Sequence, residues 1–379
     1  MTVSSLGDQF YLIAFPWIVL SKTGSSWALG TIMMATAIPR SAMMLLGGAV
    51  TDRLSARRIL IATALARTLL VAAVGGLIWS DRLRVLDLYI LASLFGVSDA
   101  FAIPAAQAIM PALVTEDQLA PANALLQGSL RSATMIGAAP AGWVIKVWGA
   151  AQAMFIDAIS FLFIVAALFN VPDPPRSKDR TSFKVIAAIK EGFAYIARDS
   201  AMRSLMLLLG VLNLFLTGTI SIGLATLAKN RFTSVAVYGV WLSAFSAGAL
   251  AGTAVGGFVH RHRGYLLAAI VGSVGLCLCA IAFATTWQLL AGVLAIVGIG
   301  IGIVNTALPA WFQARVERPL LGRVSSVLSF CATGLLPISF GLAGLLGQAN
   351  VITLFLVAGI GILLVSVIAV ASRGVRAID

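Results

Sequence analysis

Charge is what this sequence has least of. Of its 379 residues 11% are charged, where a soluble globular chain carries about 25%. Hydrophobic residues make up 60%, and the mean hydropathy is +1.01. That composition excludes a soluble globular domain and identifies an all-α membrane protein that crosses the bilayer many times. Histidine is nearly absent: His260 and His262 are the two present, in a basic loop with no acid beside them, so metal and histidine-based catalysis find no ligand set. Cysteine is scarce as well. Cys277, Cys279 and Cys331 lie inside apolar runs, without the spacing of a zinc site or a secreted disulfide framework, and read as reduced packing residues. No G-x-x-x-x-G-K-[ST] loop is present to bind a nucleotide. No clustered His/Asp/Glu or Ser/His constellation suggests an enzyme. The expectation is therefore no cofactor, no metal and no catalytic residue.

The net charge is +12. Its arginines and lysines stand in short loops between apolar segments, so they orient a membrane protein rather than bind nucleic acid. A span needs about 20 mostly apolar residues. That ruler gives twelve transmembrane helices, over 4–21, 27–50, 58–79, 86–110, 123–146, 150–170, 203–228, 235–259, 264–284, 286–310, 323–346 and 350–371. With the N-terminus inside, seventeen Lys and Arg fall in inside segments, six in outside segments and three, Arg40, Arg67 and Arg131, within spans. The excess places both termini in the cytoplasm. No cleavable signal peptide is read, because Asp8 interrupts the first apolar run.

A long polar stretch divides the chain. Residues 172–202 begin as the Pro-rich VPDPPRSKDR and continue as KVIAAIKEGFAYIARDS, whose apolar residues recur at helical spacing. The expected organisation is an N-terminal six-helix bundle over 1–171, a cytoplasmic linker with an amphipathic helix over 172–202, and a C-terminal six-helix bundle over 203–379. The halves echo each other. An offset of about 209 residues carries Gly30 onto Gly239 and Gly47-Gly48 onto Gly256-Gly257, so the two bundles read as pseudo-symmetric. Parallel six-helix repeats with a site between them are a transporter architecture.

Between the second and third spans stands GGAVTDRLSARR (47–58), which resembles the signature G-x-x-x-D-R-x-G-R-R of the major facilitator superfamily. Gly48, Asp52 and Arg53 match in place; Ser55 replaces a glycine and Ala56 a basic residue, with Arg57 and Arg58 following. AFAIPAAQAIMPALVTEDQLAPANALLQGSLRSATMIGAAPAGWVI (100–145), SLGDQF (5–10), FIDAISFL (155–162) and GRVSSV (322–327) are similar to the branch that holds macrolide-efflux and siderophore exporters. Gly137, Pro140 and Gly142 resemble the fifth-helix antiporter motif in reduced form. The resemblance covers essentially the whole chain. It implies the twelve-helix major facilitator fold, a bacterial inner-membrane location and a proton-coupled exporter working by alternating access. It also implies that Gly47, Gly48, Asp52, Arg53, Arg57 and Arg58 form a cytoplasmic latch, with Asp52 near the start of the eleventh helix; the alternative is a solvated loop that only sets topology.

Charges inside spans need a reason, since each costs about 2.5–3.5 kcal/mol on insertion scales. Asp8, Arg40, Arg67, Asp99, Arg131 and Asp157 qualify, all in the first half. By the helical rise, Asp99 sits about 16 Å and Arg131 about 12 Å from the cytoplasmic end, which predicts an ion pair between them that a proton or substrate can break. Asp8 is a proton-carrier candidate. Arg40 and Arg67 are expected to pair with Asp8 or Asp99, and Asp157 to make a structural hydrogen bond. Tyr11, Phe15, Asn213, Thr217 and Asn305 are candidates for the wall of a substrate cavity, since aromatics and a few amides suit a bulky amphipathic small molecule. The partners expected are that small molecule, protons and the lipid bilayer, with no nucleic acid and the protein a monomer. One proton falling through 100 mV supplies about 2.3 kcal/mol, a gradient of roughly fifty-fold for a neutral solute. The alternatives kept open are a lysophospholipid or lipid flippase on the same fold and a non-transporting membrane sensor.

Overall fold

Long apolar runs broken by short polar turns leave the backbone one way to satisfy its N–H and C=O groups in lipid, which is to close them within helices. The computed structural model of this protein describes residues 2–169, 171, 193–257, 263–316, 320, 324, 327 and 333–371, and among them there are helices and no strands. The first six helices are α1 (Thr2–Thr23), α2 (Ser26–Arg53), α3 (Ala56–Trp79), α4 (Val85–Leu113), α5 (Leu119–Trp148) and α6 (Ala150–Phe169). Then come α7 (Ser200–Gly218) and the short α8 (Leu224–Leu227), with π turns at Thr219–Gly223 and Ala228–Phe232. The last are α9 (Val235–Gly256), α10 (Arg263–Phe283), α11 (Trp287–Arg315), α12 (Leu336–Ala349) and α13 (Val351–Ala371).

Among the described residues eight helical rods are long and apolar enough to cross a membrane. They lie at eight of the positions where spans are expected, and one of them, Ser200–Phe232, runs unbroken through both π turns. α1, α2 and α5 are 22, 28 and 30 residues long but less apolar, because they hold buried charges or the small and polar residues of the motifs. The eleventh expected span lies partly outside the described residues; its described end is α12, which Pro337 opens. Proline there needs no amide partner.

The chain forms two compact units. One comprises Met1–Arg180 and Ala225–Ser243, the other Thr181–Leu224 and Ala244–Asp379. In the first, α4 packs on α2 and α3, α3 on α6, and α1 on α5 and α6. The register of α3 against α6 is pinned at one end, where Arg57 Nε donates to the Leu168 carbonyl at 2.8 Å and its Nη2 to that of Phe169. A cation on the last carbonyls of a helix suits the helix dipole. In the second unit, Gly248 and Gly252 of α9 press on the backbone of α11, and Gly298 and Gly302 of α11 press back. The four-residue spacing puts small residues on one face of each helix and lets the backbones touch, the usual basis of tight packing in membranes.

Candidate functional site

The acid and the two arginines buried in α2, α3 and α4 meet. Asp99 Oδ1 accepts from Arg67 Nη2, and its Oδ2 faces Arg40 Nη1 at 3.7 Å. Asp99 and Arg67 side chains are each 16% exposed and Arg40 27%, so the cluster is largely desolvated. Arg67 is eleven residues into α3, about 16 Å along its axis, which is near the middle of a span of 24 residues. Arg131 was expected to pair with Asp99, and Arg40 and Arg67 with Asp8 or Asp99; the described partners of Asp99 are Arg67 and Arg40. The physical reason is packing. α4 lies between α2 and α3, where Gly96 and Gly47 let it approach α2 at Thr36 and Ala100, so its acid is presented to the arginines of those two helices.

Aromatic rings line up with this cluster. The Arg67 guanidinium stands over Phe95 at 5.1 Å and over Phe161 at 5.6 Å. Phe95 stacks on Tyr11 at 4.6 Å, and Tyr11 on Phe15 at 5.0 Å. Cation–π contacts of this kind are worth about 0.5–2 kcal/mol, more when water is excluded. Arg67 is thus held by a carboxylate and two ring faces at once. Of the cavity candidates, Tyr11 and Phe15 join this column, with Phe15 1% exposed. Asn213 turns its amide to the Leu209 carbonyl of its own helix at 3.1 Å, Thr217 lies half-buried one turn further on, and Asn305 is exposed on α11. Those three belong to the second unit. Asp8 stands half-buried on α1, within the electrostatic reach of Arg67 and Asp99. Asp157, 0% exposed, accepts from Ser160 Oγ at 3.3 Å, so the predicted structural hydrogen bond is present.

The antiporter-like motif on α5 makes two contacts. At Gly137 a Cβ would fall 2.9 Å from Gln9 Cγ, so α1 fits there. At Gly142 it would fall 2.8 Å from the Val235 carbonyl and 3.2 Å from Gly239 Cα, while Gly239 in turn lies on the Ala138 carbonyl. Pro140 is exposed between them. Just before it, the Ala139 amide donates across to Ser243 Oγ at 2.9 Å. Proline disturbs a helix's hydrogen-bond ladder, and the Ser243 hydroxyl meets the amide just before it. Ser243 was not foreseen; the signal available was the fixed offset that pairs Gly30 with Gly239. Nearby, Ser26 and Thr226 hydroxyls meet at 3.0 Å, and Lys229 Nζ donates to Ser21 Oγ at 2.6 Å while standing 4.9 Å over Trp17. All of these lie in the first unit.

At the other end of that unit, α2 ends with Asp52-Arg53 and α3 begins after Ser55. The Ser55 hydroxyl accepts from the Arg58 amide at 3.3 Å, which explains serine in place of the family's glycine: it caps α3. Arg57 is spent on the end of α6. The surroundings of Gly48 and the side chains of Asp52 and Arg53 fall outside the described residues, as does the start of the eleventh span that Asp52 is expected to meet. In the second unit Asp199 caps α7, accepting from the Ala201 amide at 2.8 Å, and pairs with Arg315 Nε at 2.8 Å; Arg315 lies over Trp311. Burial pushes the Asp199 carboxyl up, but the Arg315 hydrogen bond and the two backbone amides outweigh it and hold it below its usual value. Along the outer side of α3 and α4 runs an apolar groove of about 740 Å³, with Thr63 and Ser98 as its polar points.

Apolar rods with a paired acid and two arginines inside their spans mark a membrane protein that crosses the bilayer many times and carries a charged site in its interior. Comparison with known proteins makes the class specific. The model of the transmembrane secretion effector family matches residues 1–379, and the chain belongs to that family, a transporter group of the major facilitator superfamily, and is not an enzyme. The multidrug efflux pump Tap of Mycolicibacterium fortuitum is 27% identical, over 98% of this chain and 94% of its own. Macrolide efflux protein A of Streptococcus pyogenes is 23% identical, over 100% and 95%. The enterobactin exporter EntS of Citrobacter koseri is 24% identical, over 83% and 76%. In fold the chain is similar to the crystal structure of a bacterial homologue of the iron transporter ferroportin in an inward-facing state, with a TM-score of 0.74 at 17% identity over 98% and 96%. It is also similar to that of the nucleoside transporter NupG, at 0.70 and 13% over 98% and 99%.

Proposed function

We propose that this protein is a proton-coupled exporter of bulky amphipathic small molecules, drug, macrolide or siderophore in type, in a bacterial cytoplasmic membrane. It crosses that membrane twelve times, with both termini in the cytoplasm, as two six-helix bundles (1–171 and 203–379) joined by the linker 172–202, and alternates access by rocking one bundle against the other. The observation that carries the reading is the buried Arg40–Asp99–Arg67 cluster with Asp8 in its field. Such a cluster changes charge when it takes or loses a proton, and its aromatic column offers ring faces to a large apolar solute. The efflux relatives support the direction and the substrate class. Asp8 and Asp99 are the proton-coupling residues, with Arg131 on α5 on the path; Gly137, Pro140 and Gly142 form the packing face that must close and open; Gly47, Gly48, Asp52, Arg53, Arg57 and Arg58 form the cytoplasmic latch. Tyr11, Phe15, Asn213, Thr217 and Asn305 contribute to the cavity wall.

The test is transport by the purified protein in vesicles with an imposed pH gradient, presenting a macrolide, a siderophore and a cationic dye. Gradient-driven movement of at least one of the three is expected, abolished by Asp99→Asn. Movement of none of them contradicts the reading. The groove along α3 and α4 supports a second reading, a lysophospholipid or lipid flippase, for which the same vesicles would translocate a fluorescent lysophospholipid and ignore the other three.

A further inference from the structure

Asp157 has more around it than a structural hydrogen bond requires. Its Oδ1 accepts from Ser160, but Ser160 Oγ is closer to the Asp157 carbonyl, at 2.8 Å. Its Oδ2 is buried with no hydrogen-bond partner among the described residues. The backbone of α1 lies directly on it: a Cβ at Gly7 would fall 3.1 Å from Oδ1, and the next residue is Asp8. The charges that act on Asp157 are those of Asp8 on α1 and Arg67 on α3. Tyr11 of α1 and Asp99 of α4 belong to the same field, and α5, which also packs on α6, bears Arg131 and Lys146. The register agrees. Arg67 lies ten residues beyond Arg57, and Asp157 eleven before Leu168, so both are about 15–17 Å from the contact that pins α3 to α6. A second buried polar atom is also without a partner, and it is Arg67 Nε.

Three acids, Asp8, Asp99 and Asp157, thus share a largely buried space with two arginines, Arg40 and Arg67. Fully ionised, they leave one negative charge in excess, which a low-dielectric interior opposes. One proton removes it. Asp99 already has two arginines, so the proton belongs with the other two acids. We propose that Asp157 and Asp8 share one proton in this conformation, and that Arg67 is the switch that reads its departure. When the O–H bond breaks and the proton passes by way of the half-buried Asp8 to water, the carboxylate left on Asp157 draws the guanidinium through its unpartnered Nε, and Arg40 keeps Asp99. The guanidinium that moves is the one standing over the Phe95 and Phe161 rings. The step conserves charge: a carboxylic acid becomes a carboxylate, and water takes the proton. This inference rests on the proton-coupled reading above and assigns its proton to a residue outside the Asp99 pair.

The experiment needs no known substrate for its first half. Protein in lipid is titrated while infrared spectra record the carbonyl stretch of protonated carboxyl groups. One such band is expected at neutral pH, and it is lost in Asp157→Asn and in Asp8→Asn alike, since either change removes the excess negative charge. In the same preparation, ethidium efflux under a pH gradient is compared with ethidium exchange without one. Asp157→Asn is expected to keep exchange within about twofold and to lose the gradient dependence, which for one proton is a tenfold change per pH unit. No protonated band at neutral pH, the same band in Asp157→Asn, or gradient-driven efflux by that variant at the parent rate would each overturn the proposal while leaving proton coupling intact. A parent protein that moves ethidium without regard to the gradient would sink both. Should Asp157→Asn fail to fold, Asp157→Glu keeps a carboxyl and is expected to shift the band and the titration midpoint; an unmoved band in that variant refutes the assignment.

Discussion

Replacing Asp99 by leucine strands two arginines that now share one acid. Breaking a buried pair by removing one partner costs about 3–5 kcal/mol. The low end applies here, about 3 kcal/mol, because Asp99 and Arg67 are 16% exposed and Arg40 27%. Removing Arg67 as well relieves the larger part of that cost, since two apolar residues in place of a buried pair are often neutral. Methionine is the suitable replacement: it gives up the cation–π contacts with Phe95 and Phe161 but recovers sulfur–aromatic contacts worth about 0.3–1.5 kcal/mol. The double variant Asp99→Leu/Arg67→Met is therefore expected to be more stable than Asp99→Leu alone, with a coupling of about 2 kcal/mol across the cycle. Reversible denaturant unfolding in mixed micelles measures all four proteins. Additivity within about 0.5 kcal/mol, the result for independent sites, would refute the pairing and with it the site built on it.

Other consequences are smaller and separate. Gly142→Val drives side-chain atoms into the Val235 carbonyl and Gly239; overpacking of this sort costs about 1–3 kcal/mol, and vesicle transport is expected to fall with it, whereas an unchanged rate would show that this contact is not needed to hold the helices. Ser55→Ala removes the cap of α3 and is expected to cost about 1 kcal/mol in the same unfolding assay, while Ser55→Gly costs a few tenths. Asp199→Ala removes a cap and a half-exposed ion pair together, about 1–2 kcal/mol. The sign of its pH dependence follows from a carboxyl held low in the fold: the stabilisation is complete above the unfolded-state value, and is lost as pH falls through the lower folded value. Parent and Asp199→Ala are thus expected to differ at pH 7 and to converge on acidification below about 4; a gap that widens with acid contradicts the assignment.

Much of this was legible in the sequence, for a physical reason: in lipid an apolar run of about 20 residues has no alternative to a helix, so rods such as Val351–Ala371 and Ala150–Phe169 are written in composition. The buried charges were equally visible, since each must be explained. Their partners were legible only in part: Arg40 and Arg67 were expected at Asp8 or Asp99, and Arg131 at Asp99. Depth along a helix can be counted, and it placed Asp99 and Arg131 at similar levels, but which helices touch is decided by where small residues permit approach. Gly96 and Gly47 put α4 against α2, and Arg40 and Arg67 follow from that. The π turns after Gly218 and Leu227 carry no composition of their own, because one extra residue in a turn changes no propensity. Ser243 was hidden for the opposite reason: a serine among apolar residues is ordinary until the close approach of α9 to α5 at Gly142 and Gly239 puts the Ala139 amide within its reach.

The most direct test of the account is the proton flux that accompanies drug movement. Vesicles holding the purified protein and a trapped pH-sensitive dye are given ethidium with no pH gradient imposed. If Asp8, Asp99, Asp157, Arg40 and Arg67 act as one proton-exchanging group, ethidium entering the lumen expels protons in fixed proportion to it, and Asp99→Asn abolishes the signal. Ethidium movement with no proton signal, or a signal unaltered in Asp99→Asn, would contradict it.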